Sequence, residues 1–197
     1  MQRCEWANSN LLETLYHDNE WGLPVHDDRM LFEMLILEGA QSGLSWATIL
    51  QKRDGYLQAF DDFDAKKIAQ YSPKKIASLM HDKGIVRNKL KINATIENAK
   101  CFLAIQQEYG SFDKYIWSFV EGQTINNQWL SESEIPSSSP VSEAMSKALK
   151  KQGFKFVGPT TCYAYMQAIG MVNDHILSCF RYQEIKKLQQ QVLCLVD

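Results

Sequence analysis

Apolar positions along most of this chain recur three and four residues apart, the spacing of helices rather than the alternation of strands. In DDRMLFEMLILEGA, Leu31, Met34 and Leu35 share one helical face, with Asp28 placed to cap the start and Gly39 to stop the end. A second helix is expected from Ser45, carrying Trp46, Ile49 and Leu50. SPKKIASLMHD opens on Ser-Pro, a favourable first turn. RNKLKINATIENAKCFLAIQQEYG reads as a long amphipathic helix ending at Gly110, and SFDKYIWSFV as a shorter one. SESEIPSSSPVSEA is a polar connector with two prolines. A helix resumes through MSKALKKQG, and GPTTCYAYMQAIG is a further helix with Pro159 in its first turn. Strand signals are weak, and no repeat or low-complexity tract interrupts the pattern. The expected fold class is all-α.

The totals narrow this reading only a little. With 197 residues, 45% hydrophobic and 22% charged, the chain has the length and composition of one globular domain or two small lobes, enough to bury a core without disulfides. The net charge is −2 and the pI about 6.1, so any surface for a polyanion has to be local. MQRCEWANSN has no apolar core of signal-peptide length, and no run reaches the roughly 18 apolar residues of a membrane span. A cytoplasmic, reducing setting is expected, in which Cys4, Cys101, Cys162, Cys179 and Cys194 are metal ligands or core residues rather than disulfides.

Four patterns carry candidate chemistry. YHDNEWG, residues 16–22, packs Tyr16, His17 and Trp21 into a stretch where a turn explains only Asp18, Asn19 and Gly22. His175 and Cys179, four apart in HILSC, would share one face of a helix, and Cys4 and His17 at the other end of the chain would complete a closed tetrahedral set. On spacing alone the alternative of plain core residues stays open, since no CxxC is present. Glu38 falls where the apolar face of its helix calls for a hydrophobe, and at a helix end where the macrodipole disfavours an anion. A solvated last-turn acid is the competing reading. If Tyr16, Trp21 and Trp46 fold beside it, aromatic faces and an acid would suit a flat cationic ligand. GAQSGLSW then offers close backbone approach and Leu44 as a wedge between base steps. Finally SKALKKQGFKFVGPTT gathers Lys147, Lys150, Lys151 and Lys155 around a glycine-bracketed turn before a helix N-terminus, a pattern that suits phosphate.

In combination, RCEWA, YHDNEWG, LFEMLILEGAQSGLSW, WSFV, SEIPSSS and SKALKKQGFKFVGPTTCYAYMQAIGMVNDH resemble the bacterial 3-methyladenine DNA glycosylase I (Tag) family of the helix-hairpin-helix superfamily. With Cys179 the resemblance runs from residue 3 to 179. It implies a helix-hairpin-helix glycosylase fold in one unit over residues 1–180, with the hairpin near 149–161 and a C-terminal tail over 181–197. It implies a structural zinc ion on Cys4, His17, His175 and Cys179 that joins the N- and C-terminal regions. Glu38 matches the base-recognition acid, and Tyr16 and Trp46 match the aromatic walls. Gln41, Ser42, Gly43 and Leu44 match the DNA-probing loop, and residues from Gly153 to Thr160, with Lys155 and Gly158 between them, match the hairpin. The implied activity is excision of 3-methyladenine from alkylated double-stranded DNA by a monomeric bacterial enzyme, with no membrane partner, that works in the cytoplasm on the nucleoid and leaves an abasic site.

Two departures stand out. Glu13 occupies a position where the family usually has a pocket tyrosine. The helix after the hairpin has no lysine for Schiff-base chemistry, and Asp174 is not assigned a catalytic role. Two other classes fit some of these residues. A zinc-stabilised helical binding module would keep the hairpin and ligands but has no need of Glu38, Tyr16 and Trp46. A hydrolytic metalloenzyme needs an open coordination position that a Cys2His2 set lacks.

Overall fold

The computed structural model of the protein describes residues 2–193, so the reading of Cys194 as a core residue lies outside the described residues. A 3-10 turn, Glu5–Asn8, leads into helix α1, Leu11–Asn19, whose first turn is capped by Asn10 accepting from the Glu13 N–H. Helix α2 spans Asp28–Gln41 and α3 Trp46–Ala59, where Ser45 accepts from the Thr48 N–H as its cap. The short α4, Ala65–Ile68, and α5, Pro73–Leu79, precede the 21-residue α6, Lys89–Tyr109, which ends on left-handed Gly110. Then follow α7, Phe112–Trp117; α8, Pro140–Lys151; α9, Pro159–Ala168; and α10, Phe180–Leu193. Among the described residues no helix is long and apolar enough to cross a membrane.

Helix α2 is the axis of the core. Its residues from Leu31 to Ala40 are buried without a break, because α3, α6, α7 and α9 pack around it. A helix enclosed on all sides needs apolar residues all round, and LFEMLILEGA supplies them apart from two acids. Its ends differ from the sequence expectation. Asp27, not Asp28, is the cap, and Asp28 instead accepts from Gln106 and from the N–H groups of Phe112 and Asp113. The helix also runs through Gly39 to Gln41. Gly39 is a packing residue, since a Cβ there would sit 3.2 Å from the Cβ of Phe156.

The all-α expectation needs one small correction. Ile125–Asn126 pairs in parallel with Val172–Asn173, two residues on each side. This bridge delivers the chain to Asp174 and His175. The stretch HILSC, whose spacing would put its ligands on one face if it were helical, is not a helix. Residues 174–179 form a turn, closed by the Cys179 N–H donating to Ile176 O at 2.8 Å and tied outward by the Leu177 N–H donating to Trp129 O. Beyond residue 180 the chain stays packed, with Tyr182 and Ile185 buried on α10.

The segment joining α8 to α9 is held from inside. Buried Asn98 of α6 accepts from the Lys155 N–H at 2.8 Å and donates to Lys155 O at 3.0 Å. The Ser146 hydroxyl donates to Val157 O at 2.6 Å. Phe156 takes φ +57°, a costly region for a residue with a Cβ, directly over Gly39. The turn is therefore registered against the last turns of α2. Asn98→Ala should leave both Lys155 backbone groups unpaired at a cost of about 1–3 kcal/mol. Thermal unfolding should show this as a fall of roughly 3–10 °C; an unchanged melting temperature would mean that the turn holds itself.

Candidate functional site

A cavity of about 440 Å³ opens between α1, the C-terminal turn of α2, the start of α3 and the start of α9. Tyr16, Trp21, Glu38 and Trp46, expected together from the sequence, all line it. The Tyr16 and Trp46 rings lie 5.3 Å apart at 52°. Three buried polar atoms on this wall have no hydrogen-bond partner: Tyr16 Oη, Glu38 Oε2 and Trp46 Nε1. Buried polar groups in folded proteins are nearly always paired. A carboxyl acceptor, a hydroxyl and an N–H donor left open at one cavity therefore make a recognition surface.

Glu38 is 5% exposed, and burial alone pushes its carboxyl up to about 8. The other acid of α2 shows the contrast. Glu33 is equally buried but accepts from Arg53 Nε at 2.7 Å, and Glu20 takes the same guanidinium at 2.6 Å. Helix α2 thus has one of its two buried acids satisfied and the other open to the cavity. Burial, and after it the nearby Glu38 charge, also holds the Tyr16 hydroxyl well above its ordinary value.

Several wall residues were not foreseen. The connector read as a polar linker forms one side of the cavity with Glu132, Ile135 and Pro136. Glu132 accepts from the N–H groups of Glu5 and Trp6, which seats Trp6 on the same wall. Two α9 side chains, Tyr163 and Gln167, complete the opposite side. Both donate to Asp174, at 2.7 and 2.8 Å, and Asn127 and Trp129 donate to its other oxygen. Buried Asp174 is thus held by four donors. Glu13 lines the cavity while accepting from Asn10 Nδ2 at 2.6 Å. Among the described residues no lysine, arginine or histidine lines the cavity, against the three carboxyl groups of Glu13, Glu38 and Glu132.

Both proposed DNA-contact elements meet the cavity edge, because Gln41 and Thr160 are among its lining residues. After Gln41 the chain turns through Ser42 and Gly43, the latter at φ +80° with open space where a Cβ would be. Leu44 follows, 39% exposed, with its N–H donating to Gln41 O at 2.7 Å. Lys155 is exposed, and Gly158 begins α9 without a side-chain cap. Lys147, Lys150 and Lys151 are also exposed, on α8.

Cys4, His17, His175 and Cys179 come together as a second, fully buried group, their ligand atoms within 4.8 Å of one another. Cys179 Sγ lies 3.4 Å from His17 Nε2 and 3.5 Å from His175 Nδ1, and Cys4 Sγ 3.8 Å from His175 Nδ1. A zinc ion with bonds of about 2.0–2.3 Å would space tetrahedral ligands about 3.3–3.8 Å apart. The donor set fits such an ion. The unused ring nitrogens are engaged elsewhere: His17 Nδ1 with Asp18 at 2.8 Å, which Arg3 in turn holds, and His175 Nε2 with Trp21 O at 3.1 Å. That outer shell aims the remaining nitrogens inward. Gly22 allows it, since a Cβ there would press on His175 Nε2 at 3.2 Å. The Cys4 thiol, and after it the imidazoles of His17 and His175, hold Cys179 well below the ordinary thiol value against the opposing effect of burial. The Trp21 ring stacks 6.1 Å from His17 and meets His175 edge-on at 4.6 Å, so one residue borders both the cluster and the cavity.

The state of Glu38 predicts a pH signature. Between its unfolded value of 4.5 and its folded value of about 8, the unfolded chain is ionised and the folded one protonated. Wild-type stability therefore falls as pH rises through that window and levels off above it. Glu38→Gln lacks this titration. Its melting temperature should gain on the wild type from about pH 5 to about pH 8 and then run parallel. A constant difference across that range would show a solvated carboxyl.

Comparison with known proteins gives the chain a family. The family model described as methyladenine glycosylase matches residues 6–182. The chain is 48% identical over 182 residues to DNA-3-methyladenine glycosylase 1 of Escherichia coli (strain K12), covering 92% of this chain and 97% of that one. A crystal structure of a 3-methyladenine DNA glycosylase I matches with a TM-score of 0.89 at 51% identity, over 91% of this chain and 98% of the other. A second structure, of the Staphylococcus aureus 3-methyladenine DNA glycosylase I and described as the basis of 3-methyladenine recognition, matches at 0.88 and 37% identity, over 91% and 96%. The chain belongs to the methyladenine glycosylase family.

Proposed function

We propose that this protein is a monofunctional DNA glycosylase of base-excision repair that hydrolyses the N-glycosidic bond of 3-methyladenine in alkylated duplex DNA. The observation that carries the reading is Glu38, buried and unpaired beside Tyr16 and Trp46 in a cavity without a cation. Methylation at N3 makes the nucleotide base a cation. As it enters, its charge favours the ionised carboxyl, so Glu38 releases to solvent water the proton it holds at neutral pH. The carboxylate then accepts from the exocyclic amino group, and the open Tyr16 and Trp46 groups meet the ring's remaining polar edge. Stacking on the aromatic walls adds about 1–3 kcal/mol per base. Unmodified adenine offers the amino group without the charge, so the cost of ionising a buried acid goes uncompensated and it is rejected.

The same charge activates the leaving group. When the C1′–N9 bond breaks, its electron pair enters the ring and cancels the positive charge, releasing neutral 3-methyladenine. Water adds to C1′ and loses a proton, leaving an abasic sugar. Among the described residues no lysine amine lines the cavity to form a Schiff base, which supports a product with an uncut backbone. The chemistry needs little acid. The main task is extrusion of the nucleotide, at a cost of a few kcal/mol. Leu44 would fill the vacated step, and a helix-hairpin-helix formed by α8, residues 152–158 and α9, with Lys155, Gly158 and Thr160, would hold phosphates. Cys4, His17, His175 and Cys179 would hold a structural zinc ion, whose bonding fixes α1 against the turn before α10.

Two measurements test these roles. Release of 3-methyladenine from methylated duplex DNA should fall at least about tenfold in kcat/KM for Glu38→Gln, with metal content unchanged; equal activity would remove the acid from recognition. Purified protein should carry about one zinc per chain. Cys179→Ser should lose that metal and melt at a lower temperature, whereas a metal-free wild type of full stability would show that the four residues are only core.

A further inference from the structure

Helix α2 ends in an unusual way. Ser42 leaves it at φ −44°, ψ 113°, and among the described residues its N–H does not close the C-cap. The job is done from another helix. Lys91, on the first turn of α6, donates its ammonium to Ala40 O at 2.7 Å and to Ser42 O at 2.6 Å. No carboxylate pairs with this ammonium among the described residues. Its two partners lie on either side of Gln41, two and four residues past Glu38, at the negative end of the helix that carries that acid. Beyond Ser42 the loop has few holds of its own. Gly43 faces open space, and Leu44 is fixed by one turn bond to Gln41 and by the Ser45 cap of α3.

We propose that Lys91 is a positioning residue for base extrusion: its ammonium fixes the root of the 41–44 loop, so that Leu44 stands at the cavity edge before duplex DNA arrives. This rests on the glycosylase reading above. A wedge has to push into the stack while the loop behind it stays in place, and a loop ordered only on contact would have to lose its freedom during that step. Lys91 roots it in the longest helix of the fold, which also holds the hairpin through Asn98. One helix thus sets the spacing between the wedge and the phosphate-binding turn.

The test uses Lys91→Met, which keeps the unbranched stem and removes the ammonium, together with Lys91→Arg, Leu44→Ala and the Lys91→Met/Leu44→Ala double variant. The rate read is kcat/KM for 3-methyladenine release from methylated duplex, and calorimetry with free 3-methyladenine reports on the pocket. Lys91→Met should lose roughly ten- to hundredfold on duplex, the scale of losing hydrogen bonds from a charged donor, and Lys91→Arg should recover most of it. Affinity for the free base should stay within about twofold of wild type, and the double variant should be no more than about threefold worse than Leu44→Ala alone, because both changes act on one device. Losses that multiply in the double variant, or free-base affinity falling in step with activity, would overturn the role and leave Lys91 a general stabiliser of the fold. A wild type that releases no 3-methyladenine would overturn the glycosylase reading and this role with it, a result distinct from the variant pattern.

Discussion

A carboxyl group without a partner, buried near the end of a helix enclosed on every side, is the constraint to which the rest of the structure answers. Desolvation keeps Glu38 protonated at neutral pH, and neither a cation nor a backbone donor relieves it. Such a group costs stability in the resting protein. It persists because the surrounding elements are packed for other reasons as well: Phe156 over Gly39 on one side, the Tyr16 and Trp46 rings on another, and Lys91 across the end of the helix. The neighbouring Glu33, neutralised by Arg53, shows that the core readily accommodates an acid when a partner is supplied. On the proposed function, the open one is the acid that meets a cationic base.

Adjacent residues on α1 carry out separate tasks. Tyr16 faces the cavity and His17 faces the Cys/His cluster, both buried, and Trp21 borders each. The cluster draws together positions 4, 17, 175 and 179, so segments near the two ends of the chain meet behind the pocket wall. Asp174, immediately before His175, gathers Tyr163 and Gln167 on the opposite wall. Rigidity in the cluster and in the Asp174 network is thereby transmitted to both sides of the cavity. On the proposed function, a pocket that rejects ordinary adenine by a charge difference needs walls that do not shift to solvate the wrong base.

Much of this was legible in residue order. Helical spacing of apolar residues gave α2, α3, α6 and α9, and Ser45, Ser72 and Gly110 marked ends through chemistry local to the turn. Glu38 was visible as a break in an apolar pattern. What stayed hidden depended on contacts distant in sequence. Gly39 looks like a helix stop until Phe156 is seen lying on it. His175 and Cys179 have helical spacing, yet a bridge to residues 125–126 and a bond to Trp129 O put them in a turn, which still brings their ligand atoms to 3.5 Å. The connector around Glu132 reads as solvent-facing because its partners, the N–H groups of Glu5 and Trp6, lie more than a hundred residues away. Lys91 and Asn98 gave no local signal, since each acts on the backbone of a remote segment.

The central claim is that Glu38 is kept neutral by burial alone and is therefore poised to respond to a cationic base. The most direct test is a carbon-13 NMR titration of the Glu38 side-chain carboxyl in the free protein, assigned by comparison with Glu38→Gln. The account predicts a midpoint near 8. A midpoint near 4.5, the ordinary glutamate value, would contradict it, and would mean that water or an unrecognised partner already satisfies the acid.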